Sequence, residues 1–384
     1  MNLLVEARHL VTDGYYYVVV FLALLTVLIF VHELGHYLVA RRNGVKVEVF
    51  SIGFGPEVIG WFDRAGTRWK LSAVPLGGYV RMFGDADPSS FPADALPEMS
   101  EAERAVSFHH KRLWQRFAVV AAGPAANFLF AILLLAGLFA TVGEPFTPPD
   151  VGEVQPHSAA AEAGIRPGDA ILSINGTRIE RFEDVQRMVY PNPGLAMRMV
   201  LMRDGQKVTL DVTPQARELT DRFGNVQKVG LLGIQRQGID YVRRNPAFAV
   251  VRAADETWLV SASALQGIWQ MIKGERGTDE LAGPLGMAKM TGEIAQGRFP
   301  DLISFAAMIS INLGLINLFP IPVLDGGHLL FYVAEAVRGR PLGRRAQEYG
   351  FRIGLAFVLT LMVFVTWNDL VRLRIVEFLR SLVS

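Results

Sequence analysis

The chain has 384 residues, 51% of them hydrophobic, with a mean hydropathy of +0.28 and a formal net charge of +1. That length accommodates two or three folding units, and the hydropathy points to the membrane class rather than to a soluble protein. A near-neutral chain without a long basic block offers no nucleic-acid surface, and the lack of cysteine excludes disulfides, thiolate ligands and a cysteine nucleophile. Any metal is therefore held by nitrogen and oxygen.

Four stretches meet the requirement of roughly 20 mainly apolar residues for a membrane span. They run near Tyr15 to Ala40, Phe117 to Val142, Leu302 to Leu324 and Tyr349 to Val371. No basic region precedes the first and no small-residue cleavage pattern follows it, so it reads as a retained span and not as a signal peptide. Inside it stands His32-Glu33-Leu34-Gly35-His36. On a helix the two histidines, four positions apart, share one face and can hold one metal ion, with Glu33 beside them to handle protons. The pattern is expected by chance on the order of 0.01 times in such a composition. Ionisable groups in an apolar helix are costly and mark function, which points to hydrolysis within the bilayer.

Between Val45 and Gly84 two strand-like pieces, Val45 to Ile52 and Arg68 to Arg81, are separated by turn-forming glycines. They form either a soluble hairpin or a membrane-associated β-region. The second span carries Gly123-Pro124-Ala125-Ala126-Asn127, and the third carries Asn317. A buried amide in lipid needs partners. Each asparagine either binds an extended substrate backbone or oxyanion, or makes helix-to-helix hydrogen bonds.

A polar stretch of about 155 residues separates the second and third spans, long enough for an independent domain. Its first part, from Val151-Gly152-Glu153-Val154 to Ser173-Ile174-Asn175-Gly176, alternates strands with glycine turns and predicts a small β-rich domain. Farther on, from Val250 to Ile272, a helical wheel gathers Val251, Ala254, Trp258, Leu265, Trp269 and Ile272 on one side. Such a helix lies in the membrane interface or packs on the protein's own domain.

The third span ends in Asn317-Leu318-Phe319-Pro320-Ile321-Pro322-Val323-Leu324-Asp325-Gly326-Gly327-His328. Prolines break the helix there and glycines permit close backbone approach. A catalytic zinc takes three protein ligands, so the two histidines need a third. Asp325 is the candidate, with His328 as its competitor. His9, His109, His110 and His157 read as ordinary surface or interfacial residues.

Basic residues near the span ends set orientation. Arg41, Arg42, Lys46, Lys111, Arg112 and Arg116 mark the first loop as cytoplasmic, and Arg338, Arg340, Arg344, Arg345 and Arg352 mark the loop after the third span likewise. Both termini and the β-rich insert then lie outside the cytoplasm, although Arg372, Arg374 and Arg380 weigh against that side for the tail.

HELGH in the first span, GPAAN in the second and NLFPIPVLDGGH in the third, in this order around an extracytoplasmic insert, resemble the site-2 protease family of intramembrane zinc metalloproteases. The likeness is greatest to its bacterial RseP-type members, the regulator of sigma-E proteases, and it covers nearly the whole chain. It implies one zinc ion held by His32, His36 and Asp325, Glu33 as catalytic acid/base, and Asn317 as a substrate contact. It also implies a membrane-associated β-region that captures unwound substrate by strand addition, and an insert similar to a bacterial PDZ domain. One such domain is visible, where the best-known relatives carry two.

The expected fold is thus a polytopic α-helical membrane protein of about four spans, with a membrane-associated β-region and an inserted β-rich PDZ-like domain. Residues 1–44 form the first span, 45–112 a cytoplasmic-side loop with the β-region, and 113–143 the second span. Residues 145–216 form the PDZ-like domain and 217–300 a connecting region with the amphipathic helix. A third membrane segment covers 301–326, a cytoplasmic loop 327–348, and the fourth span and tail 349–384. The expected activity is cleavage, in a bacterial inner membrane, of transmembrane segments already trimmed outside by another protease, such as anti-sigma factors or remnant signal peptides. Expected partners are such substrates and the lipid bilayer, with no nucleic acid. A non-catalytic PDZ-bearing scaffold loses the need for Glu33 beside two aligned histidines, and a metal transporter is disfavoured because no repeated half is apparent.

Overall fold

A computed structural model describes residues 2–84, 99–220, 226–236, 238, 240–243, 245–274 and 282–372. Arg374 and Arg380, weighed above for orientation, lie outside them. The helices are α1 (Asn2–Arg42), α2 (Glu101–Val106), α3 (Leu113–Thr141), α4 (Ala159–Glu162), α5 (Phe182–Val189), α6 (Pro246–Ile272), α7 (Pro284–Ala295), α8 (Phe299–Asn317), α9 (Asp325–Arg338) and α10 (Arg344–Arg372). The strands are β1 (Val47–Phe62), β2 (Arg68–Met82), β3 (Glu144–Phe146), β4 (Val151–Val154), β5 (Ala170–Ile174) and β6 (Thr177–Arg178). They continue with β7 (Met197–Arg203), β8 (Gln206–Val212), β9 (Gln215–Thr220), β10 (Val226–Leu231), β11 (Ile234–Arg236) and β12 (Asp240–Val242). Among the described residues, four helical stretches are long and apolar enough to cross a membrane: Gly14–Arg42, Leu113–Thr141, Phe299–Asn317 and Arg345–Val371. The chain divides into two compact units, 1–136 with 250–266 and 279–384, and 137–249 with 267–278.

In the first unit α1 runs unbroken until Asn43-Gly44, where Gly44 takes φ +69° and the Asn43 amide bonds back to Val39 and Ala40. Gly in this left-handed position is the common way to end a helix, and Arg41 and Arg42 in the last turn suit its negative end. Small residues let α1 meet α3: a Cβ on Gly35 would strike the Ala122 carbonyl oxygen. α8 closes on α3 in the same way: a Cβ on Gly314 would come 3.1 Å from the Pro124 oxygen, and the Ser310 hydroxyl donates to the Asn127 carbonyl at 2.8 Å.

The expected third span to Leu324 stops as a helix at Asn317, because Pro320 and Pro322 cannot continue the backbone ladder. The chain restarts at once. Most of the loop expected over 327–348 is α9, which ends at Gly339 with φ +67°, leaving 339–343 as the connection to α10. α7 was not expected. It packs on α1, where a Cβ on Gly292 would enter the Tyr17 ring. Its first amides, of Gly283, Leu285 and Gly286, donate to the Asp369 carboxylate on α10 at 2.9, 3.0 and 2.9 Å.

β1 extends to Phe62, ten residues past the expected end, and bends on itself at Gly53 to Pro56. Its first half pairs with 78–82 on one side and with 68–71 on the other, while 57–62 pairs with 68–72. The hairpin is therefore a small four-segment antiparallel sheet whose two outer segments are 57–62 and 78–82. Phe54, Val58, Ile59, Trp61, Phe62, Val74 and Leu76 are exposed on it. An apolar patch of this kind suits a lipid boundary and not water.

Its turn is anchored to α1. Asp63 accepts the Tyr37 hydroxyl at 2.7 Å, the Trp69 indole N–H at 3.1 Å and the amides of Ala65 and Thr67 at 2.8 and 2.9 Å. Burial disfavours its charge, but these donors outweigh burial and hold the carboxyl at about 2.

In α6, Val251, Trp258, Leu265, Trp269 and Ile272 are exposed, as an interfacial helix requires. Its small residues Ala249, Ala253, Thr257 and Ser261 are the buried stripe.

The second unit holds a four-stranded antiparallel sheet in the order β6-β5-β7-β8. Asn175-Gly176 and Asp204-Gly205, all at positive φ, make the tight turns between β5 and β6 and between β7 and β8. Val151, Ile171, Ile174, Met199, Leu201, Val212 and Leu232 build its core. The fold runs past the expected boundary at 216: β11 pairs with β4, and β12 pairs with β3. Asp169, nearly sealed, receives both arms of Arg203 at 2.8 and 2.7 Å and the Arg166 amide at 2.8 Å.

Candidate metal centre

α1 presents His32, Glu33 and His36 on a buried face, each 8% exposed. Asp325 opens α9, after the proline break has turned the chain. Gly326 and Gly327 lie against the backbone of Leu318, Phe319, Ile321 and Pro322, where any Cβ would collide, so the LDGG run brings the carboxylate inward. The result is a three-residue cluster. His32 Nε2 and His36 Nε2 stand 3.1 and 3.4 Å from Asp325 Oδ2 and 3.2 Å from one another.

These spacings fit a metal ion. His36 Nδ1 lies 2.8 Å from the Val119 carbonyl, which can only accept, so the proton of the neutral ring sits on Nδ1 and Nε2 is an acceptor. Asp325 Oδ2 is buried without a hydrogen-bond donor. Acceptors thus converge where a cation is required. Ligands about 2.0 to 2.2 Å from a tetrahedral zinc are about 3.3 to 3.6 Å apart, close to the observed separations, and two imidazoles with one carboxylate are a catalytic zinc set that leaves a position open. Gly123 on α3 supplies room beside it: a Cβ there would strike His36 Nε2 and come within 2.9 Å of His32 Cε1.

Glu33 is outside this cluster and next to it. Gly78, on the outer strand of the hairpin, faces it, so the bare backbone of β2 runs beside the glutamate. His328 is exposed and edge-on to Phe331 at 6.4 Å, and is not part of the His32, His36 and Asp325 cluster. Asn317 is the half-buried last residue of α8, where the chain turns toward Asp325. Asn127 is 0% exposed and sets its amide 3.0 Å from His32 Nδ1, on the side of the ring away from Asp325. That is a helix-to-helix contact, one of the two roles the sequence left open for it. His109, His110 and His157 are exposed.

Sequence reasoning missed the roles of Val119, Gly123 and Ser310. Only Gly123 left a trace, as the glycine four positions before Asn127.

The profile of Peptidase family M50 matches residues 20–361. An Agrobacterium fabrum protein named as a zinc metalloprotease is 46% identical over 375 residues, covering 96% of this chain and 99% of its own. One from Rhizobium meliloti, also so named, is 46% identical over 360 residues, covering 92% and 96%. Metalloprotease MmpA of Caulobacter vibrioides is 37% identical over 385 residues, covering 94% and 97%. Among solved structures, the PDZ domain of an SdrC-like protein from Listeria monocytogenes matches 24% of this chain and 88% of its own at 17% identity and a TM-score of 0.19, a likeness too low to carry the fold. With a metal-ready His, His, Asp cluster inside apolar helices and relatives of this identity over nearly full length, the chain belongs to peptidase family M50, the site-2 proteases, and is a membrane zinc metalloprotease.

Proposed function

We propose that this protease cuts transmembrane segments of other membrane proteins after a first extracytoplasmic cut has removed their bulk, with His32, His36 and Asp325 holding the zinc ion. The observation that carries the reading is a buried His, His, Asp cluster with a free-standing glutamate beside it, within helices fit to span a bilayer. Zinc bound there supplies a Lewis acid that polarises the scissile carbonyl and acidifies water. Glu33 takes a proton from the attacking water and returns it to the leaving amine.

A substrate helix must open before attack, since its carbonyls are already bonded. The outer strand 78–82 offers unpaired backbone beside Glu33 for an unwound segment to join. Asn317 contacts that segment at the end of α8. The home is a bacterial inner membrane, the β-rich insert is a PDZ-like domain outside the cytoplasm, and anti-sigma factors or remnant signal peptides are the substrate classes.

The test is Glu33→Gln in the full-length protein, assayed for zinc content and for cleavage of a trimmed membrane substrate. The amide keeps the shape but cannot act as base, so zinc stays and cleavage falls by at least a hundredfold. Vigorous cleavage by this variant would overturn the mechanism.

A further inference from the structure

We propose that Asn127 is a positioning residue for the metal: its side-chain oxygen accepts a hydrogen bond from His32 Nδ1 and holds the ring in the tautomer that turns Nε2 to the ion. This rests on the zinc reading above and adds to it a residue that touches neither metal nor substrate.

The argument starts from the ring. His32 Nε2 faces Asp325 Oδ2 at 3.1 Å and His36 Nε2 at 3.2 Å, so it is the ligand atom. A neutral imidazole that ligates through Nε2 keeps its proton on Nδ1, and that N–H needs an acceptor. The atom placed 3.0 Å from Nδ1 is the Asn127 side-chain nitrogen, Nδ2, and turning the amide over exchanges it with Oδ1. An amide's nitrogen and oxygen are distinguished by their partners, and Asn127 Oδ1 is buried with no hydrogen-bond partner of its own, so nothing else fixes which way the amide faces. With the ion in place, only the oxygen satisfies Nδ1–H. His36 already shows the same arrangement, with its Nδ1 on the Val119 carbonyl at 2.8 Å. Both rings are thus aimed by an oxygen of α3.

Asn127 is itself held firmly. Its carbonyl accepts the Ser310 hydroxyl at 2.8 Å, and Gly314 lets α8 pack close, since a Cβ there would come 3.3 Å from Asn127 Cβ. α8 leads through the proline break to Asp325, so one asparagine joins the helix carrying two ligands to the segment carrying the third. With 0% exposure it has no free surface for a peptide.

The experiment measures zinc affinity by chelator competition, and kcat and KM at saturating zinc, for full-length wild type, Asn127→Ala and Asn127→Asp. Loss of such a partner costs about 10 to 100-fold in metal affinity. The alanine variant is expected to lose that much while its KM changes less than threefold and excess zinc restores most of kcat. The aspartate variant keeps an acceptor oxygen and is expected to hold zinc within threefold of wild type. If aspartate loses zinc as alanine does, the position needs a donor or mere packing and the proposal fails; this comparison with wild type decides even if alanine does not fold. Unchanged zinc affinity with a raised KM in the alanine variant would return Asn127 to substrate binding. A wild type that binds no zinc would instead remove the reading on which the proposal stands.

Discussion

A Cβ at Gly78 would come within 2.9 Å of Glu33 Cγ, so the outer strand of the hairpin rests its bare backbone on the glutamate of HELGH. The same atom would meet Ile29 and the Ser51 carbonyl at 2.9 Å, leaving no direction in which a side chain could turn. Gly78→Val is therefore expected to push strand and helix apart. Cleavage should fall at least tenfold with zinc content unchanged, since none of the three ligands is touched. Wild-type cleavage by this variant would show that the strand's seat on Glu33 does not matter.

Asp325 and His328 were rivals for the third ligand, and the geometry separates them by one turn of α9. Asp325→Ala should lower zinc affinity by at least a hundredfold, because it removes a ligand and leaves two acceptors facing an open space. His328→Ala should stay within about threefold, as its ring is exposed against Phe331. Titration of both variants with a competing chelator checks this, and the opposite order would exchange the two roles.

The Asp63 carboxylate ties the hairpin turn to Tyr37, the neighbour of His36. Its pKa, lowered to about 2, fixes the sign of the pH effect: the folded form binds its proton less readily than the unfolded form. The stabilisation is complete above about pH 4, the ordinary aspartate range, and is lost as pH falls through about 2. Tyr37→Phe removes one donor to a charged acceptor and should loosen β1 and β2 locally by about 1 to 2 kcal/mol. Hydrogen exchange of the hairpin amides, compared between pH 4 and pH 7, should show the same wild-type protection at both. A large drop by pH 4 would count against the latch.

Much of this site was open to reading from the chain alone. HELGH combines two signals that are local, a four-residue spacing and an apolar setting, and the paired prolines announced the break that delivers Asp325. What stayed hidden depends on partners far along the chain. Asn127 and His32 are 95 positions apart, and only the rotation of α3 against α1 reveals whether the amide faces the ring or a groove. β11 and β12 find their partners in β4 and β3, some 80 to 100 residues earlier, so a boundary drawn from turn residues fell at 216 instead of beyond 242. α7 carries Gly286 and Gly292 in a short stretch, which masks it as a helix, and its glycines are explained only by Asp369 and Tyr17.

That later boundary sets the deletion that would test selectivity. Removing 147–215 would take β4 away from β11 and leave β9 to β12 without the rest of their fold, so the informative excision is 144–242, closed with a short flexible linker. If the domain bars substrates with bulky extracytoplasmic parts, the shortened protease is expected to cut an untrimmed substrate and to go on cutting a trimmed one. Folded, zinc-loaded protein that no longer cuts trimmed substrate would indicate capture of a newly exposed C-terminus instead. Gel-based cleavage of the two substrates in parallel decides between them.

The cap on α7 bears on how the chain is built. The first amides of that helix wait for a carboxylate more than 80 residues downstream, on the last membrane helix, and Asp369 is 1% exposed once it arrives. Until the ribosome has delivered that residue, α7 has an open end and can rest on α1 only through its side chains. The proposed metal ligands, by contrast, are all in place by residue 325. A nascent chain can thus assemble its metal cluster before its first and last spans are joined, and a truncation upstream of 369 should yield a protein that still collects zinc but cannot clasp its own ends.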